Sequence, residues 1–319
     1  MAKITVDLVE PPQLTVDAIY KFYEDNAESW DSLGINVGDL GKECSRELYY
    51  NLHWATHPEK VKGRNKRLME TGNLEEPRFE NDLRNIGVEV YGAQDRIRLV
   101  AGHVRGKRDG AAMGLLEAPK TEHLLEFKTS NTKNFKKLLK EGLQKAKPEH
   151  YGQCQLGCHF FGLTRCMYLV KNKDDELIHS IRIEYDAVYC LQLLAKAESI
   201  VRATSPPARI SEDPAFFGCM FCKHKAVCHE DALPRVTCRS CLWVTPQMTG
   251  DATWECGKFN KPLSFDEQKE ACNSHLYDPD LVSAEQIDSD EVAETVTYRL
   301  KTGEIWVDGS GVAPGKVAA

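Results

Sequence analysis

The chain has 319 residues, with 42% hydrophobic and 28% charged positions; that balance belongs to a globular protein of roughly two domains and excludes a disordered or fibrous one. A net charge of −7 by itself argues against a nucleic-acid partner. No apolar run reaches the ~18 residues of a membrane span, and the opening MAKITVDLVEPP lacks the apolar core of a secretory leader, so a cytoplasmic protein is expected.

In such a compartment the twelve cysteines are read first as metal or cluster ligands and not as disulfides. Residues 14–32 carry the periodicity of an amphipathic helix through Leu14, Ile19, Phe22 and Tyr23. A loop at 34–41 leads to a second helix, KECSRELYYNLHWAT, with Cys44 in its first turn. A lone cysteine there would ordinarily be a small buried residue. Beyond the basic segment Lys60 to Arg67, RLMETGNLEEPRFENDLRNIG reads as a helix packing through Leu68, Leu74, Phe79, Leu83 and Ile86 and ending at Gly87. Strand-like runs at 88–91, 97–104 and 124–128 then form a meander.

The chemistry concentrates between Gly102 and Asn131. Asp109 ends one apolar run, Glu126 lies inside the next, and Lys128 follows two residues later. Alternation along a strand points Glu126 and Lys128 to one face and Phe127 to the other. Two carboxylates brought together repel, which makes most sense around a hard divalent ion such as Mg²⁺ or Mn²⁺. Such an ion polarises a phosphoryl oxygen and generates hydroxide, with a lysine to orient the water or stabilise charge.

Downstream, NFKKLLKEGLQKAKPEHYGQCQLGCHFFGL reads as two helices parted near Pro148. Six lysines against one glutamate between Lys133 and Lys147 form a basic stripe beside this region. Gln153 and Gln155 lie ~200° apart on their helix, so both cannot face one site. Strands at 165–170 and 177–184 and a helix from Asp186 to about Thr204 follow, with Cys154, Cys158, Cys166 and Cys190 read as core residues.

The C-terminal third is cysteine-rich. Cys219, Cys222 and Cys228 have C-x2-C-x5-C spacing, one ligand short of the four that zinc and iron–sulfur sites usually want. His224 or His229 could complete a local zinc site. Cys238, Cys241, Cys256, Cys272 and His275 offer five candidates for four places of a zinc ribbon, a unit with too little apolar surface to fold without metal. The acidic stretch from Asp278 to Glu294 reads as a linker, VTYRLKTGEIWVDG as a β-hairpin turning at Lys301 to Gly303, and Ser310 to Ala319 as a frayed tail.

The D-x16-E-x-K spacing of Asp109, Glu126 and Lys128 resembles the active-site motif of the PD-(D/E)XK nuclease superfamily. Gly72, Glu76 and Pro77 resemble the G-x-x-x-E-P acidic helix motif of phage and RecB-like exonucleases, with Glu75 and Glu80 as competitors and Asn73 where many relatives have histidine. Tyr151 and Gln153 resemble the glutamine motif after the catalytic strand. Cys44 with Cys219, Cys222 and Cys228 resembles the split [4Fe–4S] ligand set of CRISPR-adaptation and AddB-type nucleases.

The resemblance implies an α/β (α+β) restriction-endonuclease-like core, a mixed sheet flanked by helices, with a small C-terminal metal-binding ribbon. It divides the chain into a helical segment at 1–33, a nuclease domain at 34–232, a ribbon at 233–278 and a linker with hairpin and tail at 279–319. It implies a Mg²⁺- or Mn²⁺-dependent DNA exonuclease acting on linear duplex or single-stranded ends. Its ion would be held by Glu76, Asp109, Glu126 and the Phe127 carbonyl, Lys128 would place the water, and Gln153 would support lysine or DNA. Lys133, Lys136, Lys137 and Lys140 would contact phosphates without reading sequence. A phage-type recombination setting with a single-strand annealing partner, in a bacterial host cell, also comes from the family. A non-catalytic DNA-binding scaffold and a CRISPR-adaptation-like end-trimming nuclease are the alternatives.

Overall fold

A computed structural model describes residues 13–27, 31–58 and 60–311. The stretch read for a leader, the middle of the segment expected to continue the first helix to residue 32, and the tail beyond 311 lie outside the described residues. Helix α1, Leu14–Asp25, ends sooner than its apolar pattern suggests, where the Asn26 side chain donates to the Phe22 carbonyl at 2.8 Å. It packs on the long helix α3, Gly63–Asn85, which follows β1, Ile35–Asn36, and α2, Ser45–Leu52. Glycine is required at the start of α3, because a Cβ on Gly63 would lie 2.1 Å from the Tyr20 carbonyl oxygen.

Two sheets follow. Strands β2 (Glu89–Tyr91), β5 (Gly110–Met113), β6 (His123–Ser130), β7 (Arg165–Asn172) and β8 (Ile178–Glu184) form a mixed five-stranded sheet in the order β2-β5-β6-β7-β8. Only β6 and β7 are parallel within it, and helices α4 (Thr132–Glu141), α5 (Leu143–Ala146) and α6 (Pro148–Phe161) make the crossover that a parallel pair needs. The run at 97–104, expected as one strand, is instead a hairpin of β3 (Arg96–Leu99) and β4 (Val104–Lys107), paired through β4 with β1. Val100 and Ala101 at φ of 50° and Gly102 at 82° turn the chain there, so β5 becomes the middle strand of the meander. The α/β class with a mixed, helix-flanked sheet is as expected.

Beyond α7, Ala187–Arg202, the short helices α8 (Phe217–Met220) and α9 (Lys225–His229) carry the first cysteine group. Strands β9 (Val244–Pro246), β10 (Trp254–Cys256) and β11 (Lys261–Leu263) form a small antiparallel sheet, followed by α10, Phe265–Lys269. The acidic stretch read as a linker forms β12, Glu285–Asp290, an exposed edge strand on β13 (Thr295–Arg299) and β14 (Ile305–Asp308). The expected hairpin at its end is present as β13 and β14. Among the described residues no helix is long and apolar enough to cross a membrane.

One core joins distant parts of the chain. Leu48, Tyr49 and Leu52 of α2 and Ile97 and Val104 of the hairpin pack with Val244, Trp254 and Leu263 of the C-terminal sheet. Arg239 is locked into this core at 1% exposure. Its guanidinium donates to Gln268 Oε1 at 2.9 Å, the Leu52 carbonyl at 2.9 Å and the Leu33 carbonyl at 3.1 Å, stacked over Trp54 and Trp254. A second apolar layer sets α3 against β6 through Phe79, Leu83 and Phe127, and this layer positions the site.

Candidate active site

Strand β6 has neighbours on both edges and is buried from His123 to Phe127. Phe127 stacks on Phe79 of α3, with ring centroids 5.1 Å apart, so Glu126 and Lys128 are turned to the other face. Asp109 immediately precedes β5, and its Oδ2 accepts the Phe127 N–H at 2.7 Å, which sets it beside Glu126. The Lys128 ammonium pairs with the Glu126 carboxylate and donates to the Phe127 carbonyl at 3.2 Å.

Electrostatics follow from burial. Glu126 is 1% exposed, and burial pushes its carboxyl up to about 7, with Lys128 opposing and Asp109 reinforcing the rise. Asp109 is also raised by burial, against the pull of Lys128 and the Phe127 N–H. Burial works to lower Lys128, but Glu126 and Asp109 outweigh it and hold the ammonium protonated.

The three candidate acids of α3 are sorted by their partners. Glu75 is consumed by Lys171 at 2.6 Å and Arg78 at 3.3 Å, and Glu80 by Arg84 at 2.9 Å. Glu76 accepts from the Gln94 amide at 3.1 Å and is raised by burial and by Asp109, with Lys107 and Lys128 opposing. Of the three, Glu76 is the one that has no cation partner among the described residues and feels the charges of Asp109 and Lys128. Pro77 has no N–H, which removes the i→i−4 bond to the Asn73 carbonyl on the wall of a cleft. That cleft, about 420 Å³, is lined by Glu76, Phe127, Lys128, His150 and Tyr168 among others.

The glutamines point elsewhere. The Gln153 amide oxygen lies over Gly38, 3.2 Å from where a Cβ would stand. Gln155 is fully buried, donating to the Glu184 carbonyl at 2.9 Å and accepting the Asp186 N–H at 2.7 Å, a brace between β8 and α7. His150 borders the cleft instead, its Nδ1 2.8 Å from the Tyr168 hydroxyl. Burial, then Lys128 and Lys147, push its imidazole down to about 3, so it is neutral. Sequence reasoning misses His150, Gln94 and Lys107; the one available signal for His150 is its position one turn before Cys154 on the face of α6 that looks toward Lys128. Lys133, Lys136, Lys137 and Lys140 are exposed on α4, whose Asn134 and Leu138 line the cleft.

Among the described residues no three His, Cys, Asp or Glu side chains converge tightly enough to enclose a metal ion, with Glu126 turned onto the Lys128 ammonium. The donor types nonetheless fit a hard divalent ion: carboxylates from three elements and one backbone carbonyl, without sulfur or imidazole.

The cysteines fall into two neighbourhoods. Cys44, Cys219, Cys222 and Cys228 line one small cavity, and the Cys219 thiol is raised by burial and by Cys44 and Cys228. His224 is spoken for, with Thr56 Oγ1 and Asn51 Oδ1 each 3.0 Å from its ring nitrogens. Cys44 Sγ also accepts the Glu47 N–H at 3.4 Å, capping α2. In the second neighbourhood, burial together with Cys241, Cys272 and Cys256 pushes Cys238 up to about 11. His275 lies 3.4 Å from Ser240 Oγ. Cys154, Cys158, Cys166 and Cys190 are buried core residues, as their lack of ligand spacing suggests.

No family model matches this chain, and no curated protein matches it. Among solved structures, SSO0001 aligns at 15% identity and TM-score 0.42, over 67% of this chain and 96% of its own. An alkaline exonuclease, LHK-Exo from Laribacter hongkongensis, aligns at 16% identity and TM-score 0.40, over 58% of this chain and 90% of its own. Its complex with dAMP gives 18% and 0.39, over 56% and 89%. At such identities the site has to be judged on its own side chains.

Proposed function

We propose that the chain is a deoxyribonuclease that hydrolyses phosphodiester bonds with Mg²⁺ or Mn²⁺, acting on the ends of linear DNA. The observation that carries the reading is that Asp109, held by the Phe127 N–H, and the Glu126–Lys128 pair adjoin at β6, beside a cleft lined by Lys128 and by Glu76. Asp109, Glu126 and the Phe127 carbonyl, with Glu76, would hold the ion, which when bound supplies Lewis-acid polarisation of a phosphoryl oxygen and a water acidic enough to ionise.

The remaining work falls to the chain's own groups. The Phe127 N–H fixes the Asp109 carboxylate, and Gln94 fixes Glu76. Lys128, permanently charged between Glu126 and the Phe127 carbonyl, orients the attacking water and stabilises charge on the phosphorane-like transition state. His150, neutral and held by Tyr168, offers its second ring nitrogen to the phosphate or the water. Lys133, Lys136, Lys137 and Lys140 supply phosphate contacts along α4.

In the same reading Cys44, Cys219, Cys222 and Cys228 hold a [4Fe–4S] cluster that staples α2 to the end of the nuclease domain. Cys238, Cys241, Cys256 and Cys272 hold zinc; His275, engaged near Ser240, is the reserve ligand. A recombination setting with an annealing partner belongs to the proposal only through the family likeness. The test is end-labelled linear DNA against closed circular DNA with Mg²⁺ or Mn²⁺. Degradation confined to linear DNA is expected, and no hydrolysis with either ion refutes the reading.

A further inference from the structure

We propose that the outer face of the β3–β4 hairpin is the track on which the phosphate backbone of duplex DNA approaches the carboxylates, an inference that rests on the nuclease reading above. The register places Arg96 opposite Lys107 and Arg98 opposite Arg105. Directly opposed residues share a face. The other face is fixed inward by Ile97 and Val104, which are 2% and 0% exposed, so four cations stand together on the outer side.

Like charges directly opposite one another destabilise a strand pair, so this arrangement needs counter-charge. The outer pair has it: Asp251 accepts from Arg105 at 2.5 Å and lies 3.4 Å from Arg98. The inner pair does not. Among the described residues neither Arg96 nor Lys107 has an ion-pair partner. Arg108 is turned away, bonded to Asp95 at 2.6 Å with its guanidinium 4.0 Å over Phe161.

The uncompensated end is the end at the site. Lys107 is two residues before Asp109 and close enough to lower both Asp109 and Glu76. Gln94, in the turn before Arg96 and held at a φ of 65°, reaches Glu76. Successive pairs along the hairpin are ~7 Å apart, so the face suits a chain of phosphates better than one small anion. The lysine stripe of the sequence directs phosphate contact to α4 alone; the hairpin adds a second wall reaching the acids from the side of Asp109.

The test is duplex binding by fluorescence anisotropy without added Mg²⁺ or Mn²⁺ across a salt series, with folding checked by thermal melts. Each phosphate contact removed should flatten the log–log salt dependence by ~0.9. Arg96→Gln with Lys107→Gln should therefore flatten it by about 1.8, while Asp251→Asn, which frees Arg98 and Arg105, should steepen it. Unchanged slopes in both variants overturn the track, as does flattening by Lys136→Gln/Lys137→Gln/Lys140→Gln alone. Cleavage by wild type in Mg²⁺ or Mn²⁺ is scored separately. Unchanged slopes with active wild type remove the track and leave the nuclease reading, whereas shifted slopes with an inactive wild type keep a DNA-binding face and remove the nuclease.

Discussion

Replacing Arg239 by methionine tests how the C-terminal third is tied to the rest. Methionine fills the volume of the arginine stem but leaves the Leu52 carbonyl, the Leu33 carbonyl and Gln268 Oε1 without their donor. A buried acceptor stripped of its partner costs about 1–3 kcal/mol. Against that, burial holds the guanidinium well below its ordinary value, so removing it relieves a desolvation cost. With three acceptors bared and no cation left to stack on Trp54 and Trp254, the balance falls at about 3 kcal/mol of destabilisation. For a chain of this length that is a drop of about 4–5 °C in Tm. Thermal melts by circular dichroism, checked by urea unfolding, read it directly. A variant that melts at or above the wild-type temperature refutes the reasoning, because the charge would then have cost more than its hydrogen bonds return.

Further outcomes follow from individual side chains. Gln155→Ala should destabilise by about 1–3 kcal/mol, since it bares the Glu184 carbonyl and the Asp186 N–H; His150→Ala, which bares the Tyr168 hydroxyl, should destabilise by a similar amount and in addition lower kcat, and an unchanged kcat would contradict the placement. Cys44→Ser should remove iron and leave zinc in anaerobically purified protein, while Cys238→Ser should do the opposite; elemental analysis showing full iron in Cys44→Ser would remove that residue from the cluster. Burial lifts Asp278 from 3.8 to about 6, and a raised carboxylate gives stability that is complete below the unfolded value and lost as pH rises through the folded one. Asp278→Asn, which keeps the oxygen accepting the Asp280 N–H, should therefore melt higher than wild type at pH 8 and no higher at pH 3. Equal Tm at pH 8 would place that carboxylate in solvent.

The core strand and its acids were legible because strand alternation is a strong constraint: once Glu126 and Lys128 share a face and Phe127 seeks an apolar layer, β6 has one way to lie. The hairpin was not legible, since nothing in LVAG announces two non-glycine residues in the left-handed region before Gly102. Strand β12 was hidden for the opposite reason, as an edge strand exposed on both faces needs no apolar alternation. Choosing Glu76 over Glu75 and Glu80 needed the family pattern, because the physical discriminants are the distant Lys171 and Gln94. Arg239 escaped because a buried guanidinium depends on carbonyls more than 180 residues away.

In the proposed mechanism Asp109, Glu126 and Lys128 act as one hydrolytic set. The most direct measurement is cleavage of end-labelled linear duplex in Mg²⁺ or Mn²⁺ by wild type and by Glu126→Gln, a substitution that keeps shape and removes charge. Wild type should release label, and the variant, still folded and still binding duplex, should lose that activity by a factor of at least ~10². Wild-type rates in Glu126→Gln, or no cleavage by wild type with either ion, would contradict this mechanism.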